Sequence, residues 1–228
     1  MLIVKNQKIR SVLRFAIPLL LIPLVIWIAP KLLGEKRHIF VSLAVAILTL
    51  VLFITGFEKK TVGTRRMVIV AVMIALSIAG RFIPLFKPIT ALTIISAMYL
   101  GAEAGFTVGA FSALLSNFYF GQGPWTPFQM LAFGLIGYVS GFLARPLKNS
   151  RIFLLIFGAL CGILYTLVLD VWTVLWYNSG FDLDVYLGAF ITAIPHTLLY
   201  TISNLIFLWL AAKPFGDKLA RIKKKYGI

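Results

Sequence analysis

The chain has 228 residues, of which 61% are hydrophobic and 13% are charged, and its mean hydropathy is +0.98. This composition excludes an ordinary soluble domain and predicts an all-α protein that crosses a membrane several times. The net charge of +15 does not indicate a nucleic-acid partner, because the basic residues lie in the breaks between apolar segments.

Hydrophobic runs recur along the chain and predict eight helical segments. They cover residues 15–33, 39–57, 67–83, 89–100, 104–119, 127–143, 152–177 and 186–212. The fourth run is short for a crossing, so it and the fifth could instead form one long helix. The first two runs carry almost no polar side chains and precede a basic break. We therefore expect an N-terminal helix pair with its basic loop (1–66), a six-helix core (67–212) and a basic tail (213–228).

The distribution of basic residues predicts the orientation in the cell membrane. With both termini in the cytoplasm, 17 of the 22 lysine and arginine residues fall in cytoplasmic breaks. This asymmetry satisfies the positive-inside rule. It also favours eight segments, because merging the fourth and fifth would move the basic group at 145–151 to the outer side.

The connection at residues 118–130, predicted to lie outside, reads F-Y-F-G-Q-G-P-W-T-P-F-Q-M. Its glycines and prolines favour a sharp, stiff turn, and its aromatic side chains would wall a site for a large, partly apolar solute. An interfacial aromatic belt on a tight turn is the alternative. The candidate contacts in this connection are Tyr119, Gln122, Gly123, Pro124, Trp125 and Thr126.

Ionisable and polar side chains in the predicted spans provide further candidates. Asp170 is the only acidic residue inside a predicted span and lies on a polar stripe that ends at Tyr177. It could contact the solute or form a structural ion pair, for which Arg81 is the natural partner. His196 could meet the solute, including the lower ligand of a cobalt corrinoid, or hydrogen-bond across helices. We expect no metal site, because the only two histidines lie in different regions.

Small residues recur every fourth position in two segments, a spacing that lets helices approach closely. We expect the glycine set to pack within the fold and the alanine set to present a flat strip on its helix. These sets are Gly101, Gly105 and Gly109, and Ala71, Ala75 and Ala79.

The sequence carries none of the common motifs for ATP use or hydrolysis. The G-x-x-x-x-G-K-[ST], G-x-S-x-G and H-E-x-x-H patterns do not occur. We therefore expect a solute-binding protein that needs an external source of energy, and not an enzyme.

The region 67–212 resembles the substrate-binding S components of energy-coupling factor (ECF) transporters. The resemblance rests on the six-span core and on the A-x-x-x-A strip at Ala71 and Ala75 in its first helix. The run G-Q-G-P-W-T-P at 121–127 is similar to the cobalamin-specific type. The N-terminal pair at 15–57 departs from the common six-helix core.

The resemblance implies that the chain binds cobalamin, and its relative cobinamide, in an outward-facing pocket closed by the loops 118–127 and 177–184. Ala71, Ala75 and Ala79 would dock on the transmembrane T component, and two partner ATPases would use ATP, so this chain would hold no cofactor of its own. The subunit would topple in the lipid bilayer on docking and deliver the vitamin inward.

Three alternatives stay open. The vitamin could be another one, such as pantothenate or riboflavin. The chain could be a self-sufficient proton-coupled carrier that uses Asp170 and His196. It could also be a membrane enzyme that uses these two residues with Asp182 and Asp184, although no motif organises them.

Overall fold

The computed structural model describes residues 6–33, 38–55, 60–84, 87–177 and 181–227. Within these ranges the chain consists of helices and short connections. The helices are α1 (Gln7–Ala16), continued by a π-helical turn (Ile17–Leu21) into α2 (Ile22–Leu33), α3 (His38–Thr55), α4 (Lys60–Gly80), α5 (Ile89–Leu100), α6 (Ala102–Phe120), α7 (Thr126–Phe142), α8 (Ala144–Asn149), α9 (Arg151–Tyr177) and α10 (Leu183–Tyr226). Each of the eight predicted segments overlaps a helix, although residues 81–83 form a turn after α4 and residues 56–57 lie outside the described residues.

The architecture is that of an all-α polytopic membrane protein. Three described helical stretches are long and apolar enough to cross a membrane, namely Gln7–Ile28, Arg151–Leu175 and Leu183–Tyr226. Two more, Phe40–Thr55 and Ile89–Leu100, are apolar but shorter. The prediction of an all-helical membrane protein is therefore confirmed.

The fourth and fifth segments are two helices and not one. Gly101 lies between α5 and α6 with a φ of 95°, a backbone conformation that residues other than glycine rarely adopt. A Cβ atom on Gly105 would overlap the side chain of Ala97. In one straight helix these residues would lie about 12 Å apart. The chain therefore reverses at Gly101, and α5 and α6 form a hairpin.

Gly105 and Gly109, the other two glycines of the set that recurs every fourth residue, pack inside the fold, as predicted. A Cβ atom on Gly105 would lie 2.7 Å from the carbonyl oxygen of Gly137, and one on Gly109 would overlap the main chain of Phe133. The backbones of α6 and α7 therefore approach each other closely, which only small residues allow.

A buried carboxylate ties the N-terminal helices to the core. Glu103, in the first turn of α6, is 3% exposed and pairs with Arg14 of α1 and, at 3.8 Å, with Arg66 of α4. The Tyr138 hydroxyl of α7 donates to the main-chain oxygen of Arg14 at 2.6 Å. The start of α6 also favours a negative charge through the helix dipole. We call this part of the bundle the Glu103 end.

The last helix is longer than its apolar run. α10 continues through residues 213–226, which the sequence suggested as a tail, and contains both Pro195 and Pro214. Leu219 in this extension is 4% exposed, and Gly216 packs against the ring of Tyr99. The extension is helical because its apolar residues recur at helical spacing and find a packing partner.

Candidate functional site

Arg81 follows α4 at the end of the bundle opposite Glu103, which we call the Arg81 end. Its Nη1 donates to the Ser116 hydroxyl at 2.5 Å and to Asn117 Oδ1 at 2.6 Å, both on α6. The guanidinium carbon lies 4.7 Å from the ring centroid of Phe120. These contacts hold a positive charge at the junction of α4 and α6.

The ion pair between Arg81 and Asp170 that the sequence suggested as a structural alternative does not form. Arg81 Nη1 donates instead to Ser116 and Asn117 on the adjacent helix. Asp170 on α9 is 6% exposed, and its Oδ2 accepts no hydrogen bond. A buried carboxylate oxygen without a donor is an acceptor that a ligand can use.

Asn117 is the centre of a buried hydrogen-bond network. Its Nδ2 donates to Thr126 Oγ1 at 2.9 Å and to Gln129 Oε1 at 2.8 Å. Gln129 Nε2 in turn donates to the hydroxyl of Tyr165 at 3.0 Å. Hydrogen bonds therefore connect Arg81 through α6 and α7 to α9. Such a network fixes the orientation of its amide groups.

Four rings continue this network towards α10 in a bent row that we call the aromatic column: Phe133, Tyr165, Tyr200 and His196. The row bends at Tyr165, because the centroids of Phe133 and Tyr200 are only 6.5 Å apart. Tyr165 stacks on Tyr200 with 4.8 Å between centroids and 5° between planes, and on Phe133 at 4.4 Å and 25°. His196 lies 5.2 Å from Tyr200. The first three rings are buried, whereas His196 is exposed, so the column ends in an accessible ring.

The polar side chains of the predicted turn bond to one another and to the neighbouring helices. Thr126 Oγ1 donates to Gln122 Oε1 at 3.0 Å, and Gln122 Nε2 donates to the main-chain oxygen of Leu114 at 2.9 Å. The amide of Gly123 donates to Thr126 Oγ1 at 3.4 Å. The turn is therefore stiff, as predicted, and its amide groups already have partners.

Aromatic contacts also hold the turn in place. The ring of Trp125, which follows Pro124, packs over Gly123 so closely that any Cβ atom there would overlap it. The same ring meets Trp172 of α9 edge-on at 5.7 Å. Trp125 therefore joins the turn to α9.

The remaining predicted contacts of this end lie apart from the network. Tyr119 is 73% exposed and packs 4.7 Å from Phe82 on the surface of the bundle. The side chain of Tyr177, and residues 178–180 of the predicted closing loop, lie outside the described residues.

Lys87 adds a second positive charge near Arg81 in the connection between α4 and α5. Burial and the neighbouring Arg81 charge lower the pKa of Lys87. The Ser203 hydroxyl of α10 donates to the main-chain oxygen of Lys87 at 3.2 Å, so this connection is held against α10.

Ala71, Ala75 and Ala79 are all exposed on α4. They leave a narrow strip on that helix where a partner helix can approach closely.

The arrangement suits binding better than chemical reaction. It combines stacked rings, fixed amides and an unpartnered carboxylate oxygen. Among the described side chains, no three His, Cys, Asp or Glu groups cluster as metal ligands do.

Sequence reasoning did not single out several of these residues as solute contacts, namely Asn117, Phe133, Tyr165 and Tyr200. Asn117 carried a usable signal, since it is the only residue of α6 with an amide side chain. The stacking of Tyr165 on Tyr200 joins two helices, so neither segment alone reveals it.

Comparison with known proteins identifies the family. A family model described as the ECF-type riboflavin transporter S component matches residues 61–220, from the beginning of α4 into the extension of α10. Neither the curated proteins nor the solved structures contain a match. The family comprises transporter subunits that bind substrate, and it is not an enzyme family. Since the match covers more than half of the 228 residues, the chain belongs to the family of ECF-type riboflavin transporter S components.

Proposed function

We propose that this S component binds riboflavin at the Arg81 end. The observation that carries the proposal is the aromatic column, which lies beside fixed amide groups and ends in the exposed ring of His196. The family description, which names riboflavin, supports the same substrate.

Riboflavin has a flat ring system with apolar faces and a polar edge, so the column and the network complement different parts of it. The flavin ring stacks on His196, which itself contacts Tyr200. Offset ring pairs of this kind add about 0.5–1.5 kcal/mol to binding beyond the contribution of the apolar area that they bury. The polar edge exchanges hydrogen bonds with the second N–H and the second lone pair of the Gln129 amide, since the first of each bonds to Tyr165 and Asn117. Asp170 Oδ2 accepts a hydrogen bond from the ligand, because it has no donor in the free subunit.

The turn and the adjacent loops cover the bound vitamin. Trp125 supplies an aromatic wall, while Gln122, Gly123, Pro124 and Thr126 keep the turn rigid. Arg81 holds the turn through Asn117. Tyr119 and Tyr177 belong to the rim of the site in this proposal.

The proposed energy source is a partner module of one T component and two ATPases. The exposed strip of Ala71, Ala75 and Ala79 docks on the T component, and the subunit topples in the bilayer to deliver the vitamin. Both termini lie in the cytoplasm, which puts the Arg81 end outside.

Cobalamin is a second candidate substrate. The run G-Q-G-P-W-T-P at 121–127 favours it, and the exposed His196 offers a ring nitrogen that could coordinate cobalt. The existing hydrogen bonds of Gln122 and Thr126 weigh against it, because they leave the turn few groups for a large corrinoid.

A fluorescence titration tests the choice of substrate. The purified chain is added to riboflavin, and stacking should quench the flavin fluorescence in a saturable way. Cyanocobalamin, cobinamide and pantothenate serve as competitors, and none should displace riboflavin at comparable concentration. Tight binding of a corrinoid, with no quenching of riboflavin fluorescence, would reject the proposal that the chain binds riboflavin and favour cobalamin.

A further inference from the structure

A groove lies between α4 and the extension of α10, and none of its lining residues belongs to the proposed vitamin site. This groove encloses about 660 Å³. One wall is formed by Val68, Val72 and Leu76 of α4, and the other by Phe215 and Leu219 of α10.

The α4 wall is accessible and apolar. Val68 is 61% exposed and Val72 is 52% exposed. From Val68 to Leu76 the wall extends about 12 Å at the helical rise of 1.5 Å per residue. One leaflet of the hydrocarbon core is about 15 Å deep. The groove therefore has the length and the surface chemistry to accept an acyl chain.

Positive charge lies on the same groove. Arg65 and Lys218 both line it, whereas none of its lining residues is acidic. Arg65 Nη1 donates to the main-chain oxygen of Tyr226 at 2.7 Å, which holds the guanidinium at the mouth of the groove. A guanidinium has five N–H donors, so this bond does not exhaust it.

We propose that this groove binds one anionic phospholipid, with an acyl chain along α4 and the phosphate group between Arg65 and Lys218. Apolar length and cationic charge together favour a lipid over a soluble anion, which would leave the valine wall exposed. The cationic charge also favours an anionic over a zwitterionic lipid, since each Lys or Arg near a membrane surface attracts negative headgroups. This site is independent of the vitamin-binding proposal.

Native mass spectrometry of the full chain tests the inference. The protein is released from detergent containing equal amounts of phosphatidylglycerol and phosphatidylcholine with identical acyl chains. We expect one phosphatidylglycerol adduct in preference to phosphatidylcholine. Lys218→Gln should lower that preference about fivefold, and Val72→Trp should remove the adduct by filling the groove.

Matched controls separate this site from general lipid adhesion. Lys224→Gln removes a charge from the same helix extension, and Val139→Trp enlarges an exposed valine on α7, away from the groove. Both should retain the adduct. A circular dichroism melt checks that each variant is folded.

Three results would overturn the inference. The two lipids could be retained equally by the unaltered chain, or Val72→Trp could retain as much lipid as Val139→Trp. Alternatively, Val72→Trp could abolish ATP-driven uptake in the complex with its partners while leaving the adduct unchanged. That last result would assign the groove to a partner protein.

Discussion

Replacing Asn117 with leucine tests whether the buried network prepares the vitamin site. Leucine fills a similar volume but removes the bonds to Arg81, Thr126 and Gln129. Arg81 keeps its bond to Ser116, and Thr126 keeps its bonds to Gln122 and Gly123, so these two losses cost near the low end of about 1–3 kcal/mol for a lost buried hydrogen bond. Gln129 keeps the bond from Nε2 to Tyr165 but its Oε1 loses its donor, and because the side chain is only partly buried, water can replace that donor at a similar cost. The three losses together amount to roughly 3 kcal/mol.

This cost is divided between folding and binding. If half of it appears in binding, about 1.5 kcal/mol, the Kd for riboflavin rises roughly tenfold. Flavin fluorescence titration measures the Kd, and a thermal melt followed by circular dichroism measures stability.

Ser140→Ala is the matched control, because the Ser140 hydroxyl is buried but donates only within α7, to Ile136 at 2.6 Å. It should leave the Kd unchanged. A lower melting temperature for Asn117→Leu with an unaltered Kd would show that the network supports the fold alone, and would refute the reasoning.

Three further predictions concern other parts of the molecule. Replacing Ala71 and Ala75 with leucine should leave riboflavin binding intact but abolish ATP-driven uptake, because the bulky side chains prevent close helix contact; retained uptake counts against docking at this strip. Asp170→Asn should weaken riboflavin binding about tenfold while leaving the melting temperature equal or higher, since an unpartnered buried charge is removed; unchanged affinity would exclude ligand contact. Glu103→Gln should lower the melting temperature by roughly 4–8 °C and leave the Kd unchanged. The loss of stability is about 2 kcal/mol, because Glu103 is buried but the side chain of its partner Arg14 is 39% exposed. An unaltered melting temperature would show that the pair contributes little.

The sequence was sufficient for the helices but not for all of their ends. Hydropathy located all eight segments, because apolar length is what the bilayer requires. The short fourth segment was ambiguous until the backbone at Gly101 showed a reversal. The sequence did not reveal that α10 continues beyond its apolar run, since residues 213–226 are polar on average and their helix depends on packing of Leu219.

The site was harder to predict because its contacts join different helices. The pairing of Arg81 with Asp170 followed from their similar depth, but depth does not say which helices are neighbours. Glu103 was overlooked as a buried acid because it falls between two hydrophobic runs, where a charge is expected to meet water. Its burial depends on Arg14, which is distant in sequence.

Uptake by reconstituted vesicles tests the central claim most directly. The full chain is inserted into liposomes alone or with the T component and both ATPases, and entry of labelled riboflavin is measured with ATP or with a proton gradient. The account predicts uptake only when the partners and ATP are present. Riboflavin uptake by the chain alone under a proton gradient would contradict it and identify a self-sufficient carrier.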